Sequence, residues 1–190
     1  AASFRMPSAT LAAETMAGRP MSGIRAMPQV LARVPEARVV FLGQGSGLAT
    51  VEQLASDLPE DAVRVLGSVS PEECARWLRG AAGALVSIVP GRGYDFAVPT
   101  KVFAALATGA PVLYAGVGPV AEILADRELG AAVPYDVDSI AEAMVAMLNG
   151  SEEPGVEARR SAWVEANRSL AAVAERAAGA VLAVVGRKVS

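Results

Sequence analysis

The sequence predicts an α/β protein built on a doubly wound parallel, Rossmann-like sheet of about six strands with helices on both faces. Three observations carry that expectation. Short apolar runs alternate along the chain with longer segments of helical period. Most of those runs end on glycine or proline, at Gly18, Gly43, Gly67, Pro90 and Gly116. Apolar residues make up 53% of the 190 residues but aromatics only 5%, which suits one core packed tightly from Ala, Val and Leu. The expected strand order is 3-2-1-4-5-6, and ligands bind outside the carboxyl ends of such strands.

The elements follow in order. Residues 1–10 read as a linker or frayed start, with neither an initiator Met nor a signal-peptide pattern. Residues 11–17 read as the first strand. Gly18-Arg19-Pro20-Met21-Ser22-Gly23-Ile24 is the loop into a helix whose Ile24, Met27, Val30 and Leu31 face the core. Residues 37–42 form the second strand, closed by Gly43-Gln44-Gly45-Ser46-Gly47. Val51, Leu54, Ala55 and Leu58 mark the next helix. The third strand, 63–66, ends in Gly67-Ser68. Ser70 and Glu73 make a capping box with Pro71 at the first helical position, and Trp77 and Leu78 give that helix its apolar side.

Residues 85–89 read as the fourth strand. Pro90-Gly91-Arg92-Gly93 follows, where Arg92 is placed to reach an anionic ligand. Pro99 suits the first turn of a helix that continues through 102–107. Gly109 can take the left-handed cap, and Pro111 forbids continuation. Residues 111–115 are then a buried strand, Gly116-Val117-Gly118 turns away, and Pro119 begins another helix. Residues 131–134 are the sixth strand. Asp138-Ser139-Ile140 starts a helix with Ala143, Met144, Met147 and Leu148 on its inner face, and Asn149-Gly150 ends it. After a polar linker at 151–155, residues 156–186 are helical in pattern, with Trp163, Val164, Leu170 and Val173 apolar. Residues 1–150 are expected to form one domain, and 151–190 helices that pack on it or on a further domain.

Composition excludes several classes. A net charge of -3 offers no basic field for nucleic acid. Without histidine there is no Ser-His-Asp chemistry and no His-ligated metal. The lone Cys74 excludes an internal disulfide and reads as a half-buried helix residue. No window approaches ~18 uninterrupted strongly apolar residues, so no transmembrane segment is expected. The expected location is the cytoplasm, or the periphery of a membrane.

Two places suit phosphate. A helix that begins with free N–H groups and carries Lys101 in its first turn is one. The strand, glycine loop and helix at 37–58 are the other. The dinucleotide fingerprint fails there, because Leu48 stands at the third glycine and no acid ends the next strand to hold a ribose. A nicotinamide-dependent dehydrogenase is set aside on that ground.

Pro99-Thr100-Lys101-Val102-Phe103, then Ala107-Thr108-Gly109-Ala110-Pro111-Val112, resembles the P-T-K-x-[FY]-E-x-x-A-x-G-x-P-V signature of GT-B glycosyltransferases. More narrowly it is similar to family four (glycosyl transferases group 1), the retaining transferases that use nucleotide sugars. The resemblance runs from Gly18 to Leu148 in the family's motif order. It implies the C-terminal, donor-binding half of a GT-B fold. It also implies that Arg19, Lys101 and the N–H groups around Pro99, Thr100 and Val102 hold the donor diphosphate. The loops of Gly18, Gly43, Gly45, Gly47, Gly67 and Val69, with Tyr94, Asp95 and Ala104, are implied to lie beside nucleotide or sugar. The substrate would be a nucleoside diphosphate sugar, with no cofactor and no metal. No catalytic residue is assigned. The implied partner is an N-terminal GT-B domain missing from this chain, and the fragment alone would be inactive. The cleft loops at 18–23, 91–98 and 116–118 and an apolar side of 168–185 would then be open, or covered by self-association.

The chain departs from the family in three places. The Lys of the first loop falls on Ser22, with Arg25 nearby. The two family glutamates fall on Phe96 and Ala104. Related transferases with a Y-x-x-P-x-K pattern also drop the first glutamate. At Ala104 a ribose loses charge-assisted hydrogen bonds, about 1.5–3 kcal/mol each. These departures carry a second expectation, a degenerate non-catalytic GT-B-like binding or scaffolding module.

Overall fold

The computed structural model describes residues 9–14, 21–44, 47–126 and 128–188. Its strands are β1 (Thr10–Glu14), β2 (Arg38–Leu42), β3 (Val63–Val65), β4 (Gly83–Ser87), β5 (Val112–Ala115) and β6 (Gly130–Val133). Its helices are α1 (Met21–Arg33), α2 (Leu48–Ala55), α3 (Pro71–Gly80), α4 (Thr100–Ala107), α5 (Pro119–Ile123), α6 (Val137–Asn149), α7 (Val156–Arg168) and α8 (Leu170–Lys188). The strands form one sheet in the order β3-β2-β1-β4-β5-β6, and every pairing is parallel. The expected order is therefore the observed one. The order reverses between β1 and β4, where Leu11 faces Val39 on one side and Gly83 on the other. Such a reversal opens a crevice at the carboxyl edge of the sheet.

The sheet is apolar on both faces because strand side chains alternate. Leu11, Val39, Phe41, Leu85 and Leu113 meet Ile24, Met27 and Val30 of α1 and Ile140 and Met144 of α6. On the opposite face Ala12, Ala84, Val86, Val112 and Tyr114 meet Leu78 of α3, Val102 and Leu106 of α4, and Val120 of α5. Val40 and Leu42 share that side with Trp77.

Local boundaries differ from the sequence expectation in places, for physical reasons. Helix α1 begins at Met21, so Ser22 and Gly23 lie inside it and are buried, whereas the sequence suggested an open loop. A Cβ on Gly23 would stand 2.3 Å from Leu85 Cδ2, so glycine lets α1 lie close on the sheet. Strand β4 starts at Gly83, two residues before the expected Leu85. Met147 Sδ fills the space a side chain there would need, 2.2 Å from an ideal Cβ. Pro99 is the N-cap of α4 and not its first helical residue. The cap of α6 is Asp136, whose Oδ1 accepts from the Ser139 N–H at 2.8 Å. That bond, with further bonds from Ser139 and Asp138, holds the Asp136 carboxyl below its usual range. Ser70 Oγ accepts from the Glu73 N–H at 3.2 Å, as the capping box requires. Glu72 is held below its usual range by its own backbone N–H and the Ser70 hydroxyl. The expected first-strand residues 15–17 lie outside the described residues.

The helical segment at 156–186 is broken in two. Ser169 is extended, and its Oγ accepts from the Ala172 N–H at 3.2 Å. Helix α7 is bolted to the turns before β5 and β6 by Arg160, 3% exposed. Its Nη1 donates to the Gly109 carbonyl at 2.9 Å and to Glu152 Oε2 at 2.8 Å, and its Nε donates to the Glu128 carbonyl. Arg168 of α7 lies over the Phe103 ring of α4, 5.1 Å from its centroid. Helix α8 has few such ties: Leu170 is 91% exposed and Leu182 71%. No helix among the described residues is long and apolar enough to cross a membrane.

Candidate functional site

The carboxyl edge gathers the loops after β2, β3, β4 and β5. Helix α4 starts there, because it follows β4 through residues 88–99. Its N-cap, Pro99, is extended (φ -63°, ψ 132°) and supplies no side-chain cap. Proline has no N–H to lose and no side-chain acceptor to offer, so no N-cap side chain takes a donor of the first turn. Thr100 is exposed at the first helical position and Lys101 is half-buried at the second. The Val102 N–H, one of the groups expected at a diphosphate, donates to the Pro99 carbonyl at 3.1 Å. Ala104 is exposed, a turn further along.

The loop before α4 is pinned from within. Both carboxylate oxygens of Asp95 accept from the Gly91 N–H, at 3.0 and 3.1 Å, and the Ala97 N–H donates to the Tyr94 carbonyl. Asp95, expected beside nucleotide or sugar, thus spends part of its carboxylate on its own loop. Gly91 and Gly93 have φ of 71° and 81°, the left-handed region that glycine enters freely. The loop is also pinned from outside. Gly118, with φ 88°, lies so close that a Cβ there would stand 1.8 Å from the Asp95 carbonyl oxygen. Tyr114, wholly buried in β5, donates its hydroxyl to the Val117 carbonyl at 2.9 Å. Burial first, and the Asp95 charge second, push that phenol above its ordinary value, so it stays a protonated donor. Loop 116–118 is open only in part: Gly116 is buried, while Val117 is 45% exposed.

The glycine loops occupy the same edge. The Gly43 N–H donates to the Gly67 carbonyl at 2.6 Å, tying the ends of β2 and β3. Gly47 caps α2, and its carbonyl accepts from Thr50 and Val51. Val69 packs its side chain against the cluster of Val40, Leu42 and Trp77. Gly18, Arg19 and Gly45 lie outside the described residues. Ser22, at the family's lysine position, is buried in the first turn of α1 and cannot stand in for that lysine.

A cavity of about 690 Å3 lies at the opposite, amino edge, bordered by Arg79, Thr108, Met147 and Glu157 among others. None of the residues expected to hold diphosphate, nucleotide or sugar borders it. Sequence reading missed Arg160, Tyr114 and the Gly118–Asp95 contact. Only Tyr114 carried a signal, as the one polar side chain in an otherwise apolar strand.

An all-parallel sheet of this order, with glycine loops and an uncapped helix start at its carboxyl edge, defines a Rossmann-like domain of the GT-B type. The chain belongs to the glycosyl transferases group 1 family, which it matches over residues 22–150. It is 38% identical over 123 residues to a D-inositol 3-phosphate glycosyltransferase of Nocardioides sp., covering 56% of this chain and 26% of that protein. Over 156 residues it is 29% identical to a GDP-mannose-dependent monoacylated alpha-(1-6)-phosphatidylinositol monomannoside mannosyltransferase of Corynebacterium glutamicum. That match covers 80% of this chain and 41% of that protein. The chain thus spans less than half the length of the curated relatives it matches. Among solved structures, a TarM variant of S. aureus in complex with UDP superposes with TM-score 0.72 at 13% identity, over 93% of this chain and 36% of that one. Sucrose-phosphate synthase of Thermosynechococcus elongatus gives 0.71 at 19%, over 96% and 47%. At these identities the structures speak for the fold.

Proposed function

We propose that this chain is the donor-binding, C-terminal half of a glycosyltransferase that moves a sugar from a nucleoside diphosphate sugar to an acceptor held by an N-terminal half. The observation that carries the reading is α4: an uncapped helix start bearing Lys101, at the carboxyl edge of the sheet, inside the stretch that matches the family. In this reading the bond from the sugar's anomeric carbon to the diphosphate breaks, and negative charge grows on the leaving phosphate. Helix N–H groups and the Lys101 ammonium, with Arg19 added by resemblance, stabilise that charge more than they stabilise the bound donor, which is what accelerates the step. By resemblance the new bond forms with retention. No cofactor takes part, and no metal is needed to offset the phosphate charge. The named activities of the two relatives support sugar transfer, and one of them is described as GDP-mannose-dependent.

Calorimetry with UDP and GDP tests the site. Lys101→Met keeps the stem and removes the charge, so the fold should persist while nucleoside diphosphate binding weakens about ten- to a hundredfold. Equal affinity in the variant would return Lys101 to a structural role. The exposed Ala104, which offers no carboxylate to a ribose, favours a second reading: a GT-B-like module that binds or scaffolds without turnover. Restoring Ala104→Glu separates the two. A donor-binding half should gain nucleotide affinity, and a module that has left nucleotides behind should not.

A further inference from the structure

Tyr114 is the largest of the wholly buried side chains described, and the other residues of its strand, β5, are apolar. Its ring lies in the cluster of Val86, Val102, Leu106 and Val120, between the sheet and α4 and α5. Phenylalanine would fill that space as well, so the hydroxyl answers to something beyond packing. It donates to the Val117 carbonyl at 2.9 Å, in the turn between β5 and α5. That turn is built around it. A Cβ on Gly116 would stand 2.7 Å from Tyr114 Oη and 2.9 Å from the Ile88 carbonyl oxygen, so glycine there leaves the phenol its room. The turn then bears on the loop that leads into α4. Gly118 follows Val117, and a Cβ on it would stand 1.8 Å from the Asp95 carbonyl oxygen. Asp95 in turn holds the Gly91 N–H with both carboxylate oxygens. Ala97 and Val98, just before Pro99, pack on the same cluster as the Tyr114 ring. One buried side chain thus bears on the loop before α4 by two routes, through the cluster beneath it and through Val117, Gly118 and Asp95 beside it.

We propose that Tyr114 is a positioning residue for the anion site: its hydroxyl holds the 116–118 turn, and through Gly118 and Asp95 that turn sets the loop 91–98 from which the first turn of α4 and Lys101 are presented. The proposal rests on the donor-site reading above and adds to it a wholly buried residue that touches no ligand. A small displacement of groups that must converge on one ligand costs affinity out of proportion to its size, so one hydrogen bond behind the site can be read at the site. A residue that only filled the core would lose its hydroxyl without effect on either the loop or the ligand.

The test joins amide hydrogen exchange, followed residue by residue by NMR, to calorimetry with UDP, on this chain and on Tyr114→Phe, Gly118→Ala and Arg160→Met. Tyr114→Phe keeps the ring, so it should fold, and circular dichroism checks that it does. We expect exchange at the Gly91 and Ala97 amides to quicken about three- to tenfold in Tyr114→Phe, although both lie on the other loop, while α1 is unchanged. UDP should bind that variant about three- to tenfold more weakly. Gly118→Ala forces the turn off Asp95 from the other side and should quicken the same two amides. Arg160→Met loosens the far end of α4 and should alter neither readout. If Tyr114→Phe changes exchange only within 116–118, the two loops are independent and the proposal falls. It falls equally if the loop amides quicken while UDP affinity holds, or if Arg160→Met weakens UDP binding as much, since lost stability would then explain the effect. If the unaltered chain binds no UDP, the donor-site reading itself fails and takes the positioning role with it, whatever the exchange shows.

Discussion

At its carboxyl end α4 hands its backbone acceptors to the protein. The Ala110 N–H donates to the Ala105 carbonyl and the Gly109 N–H to the Leu106 carbonyl, the paired bonds of a Schellman stop. Thr108 Oγ1 donates again to the Ala105 carbonyl at 2.7 Å, and Arg160 takes the carbonyl of Gly109. At its amino end the same helix starts on Pro99, without a side-chain cap. Helix α3 shows what such a start otherwise looks like, with Ser70 accepting from Glu73. The difference teaches where function lies on this helix. Polar groups at one end are consumed in holding the helix, and the other, which starts without a side-chain cap, is where the proposed anion would bind.

Breaking the closed end should have the largest effect. Gly109 has φ 90°, and a Cβ there would stand 2.9 Å from Glu157 Cβ and 3.2 Å from its carbonyl oxygen. Gly109→Val adds backbone strain to a clash with a helix that is itself bolted down, so we expect a loss of about 4 kcal/mol in urea unfolding. A loss under about 1 kcal/mol would show the stop to be replaceable. Arg160→Met comes next. It keeps most of the volume but leaves two carbonyls without their charged donor, for about 2 kcal/mol by the same measurement. Glu152, nearly half exposed, can return to water and adds little. If the two ends are independent, UDP affinity in this variant stays within about twofold of the wild type. Closing the open end should have the smallest effect on folding. Pro99→Ser supplies a cap worth about 1 kcal/mol, offset by the freedom that serine restores to the unfolded chain. Stability should move by less than about 1 kcal/mol while UDP affinity falls about fivefold, because the new hydroxyl takes an N–H from the phosphate. Unchanged UDP affinity would mean that this end was never reserved.

Much of the architecture was legible because it depends on local signals. Apolar alternation set the strands, glycine and proline set their ends, and the order of motifs along 99–112 set the family. The boundaries that moved depend on distant partners. Nothing near Gly23 or Gly83 in sequence says that Leu85 and Met147 press on them. Arg159 and Arg160 are neighbours of identical type, yet one has a half-exposed side chain pairing with Glu128 while the other is buried. The partners of Arg160 at Gly109 and Glu128 lie 51 and 32 residues away. The residues proposed to hold a diphosphate stand in a motif. The exposure of Phe96 was not legible, because it depends on where Gly118 meets Asp95.

That last contact has a consequence for binding. A loop that must freeze around its ligand charges the ordering entropy to the affinity, often more than a single good contact returns. Here the approach of Gly118 to the Asp95 carbonyl leaves no room for the two loops to slide, and the chain has already given up their freedom on folding. The edge of the sheet between α4 and α5 is preorganised. A ligand that fitted between those helix starts would lose little to ordering them, and one that did not fit could not be met by a shift of either loop.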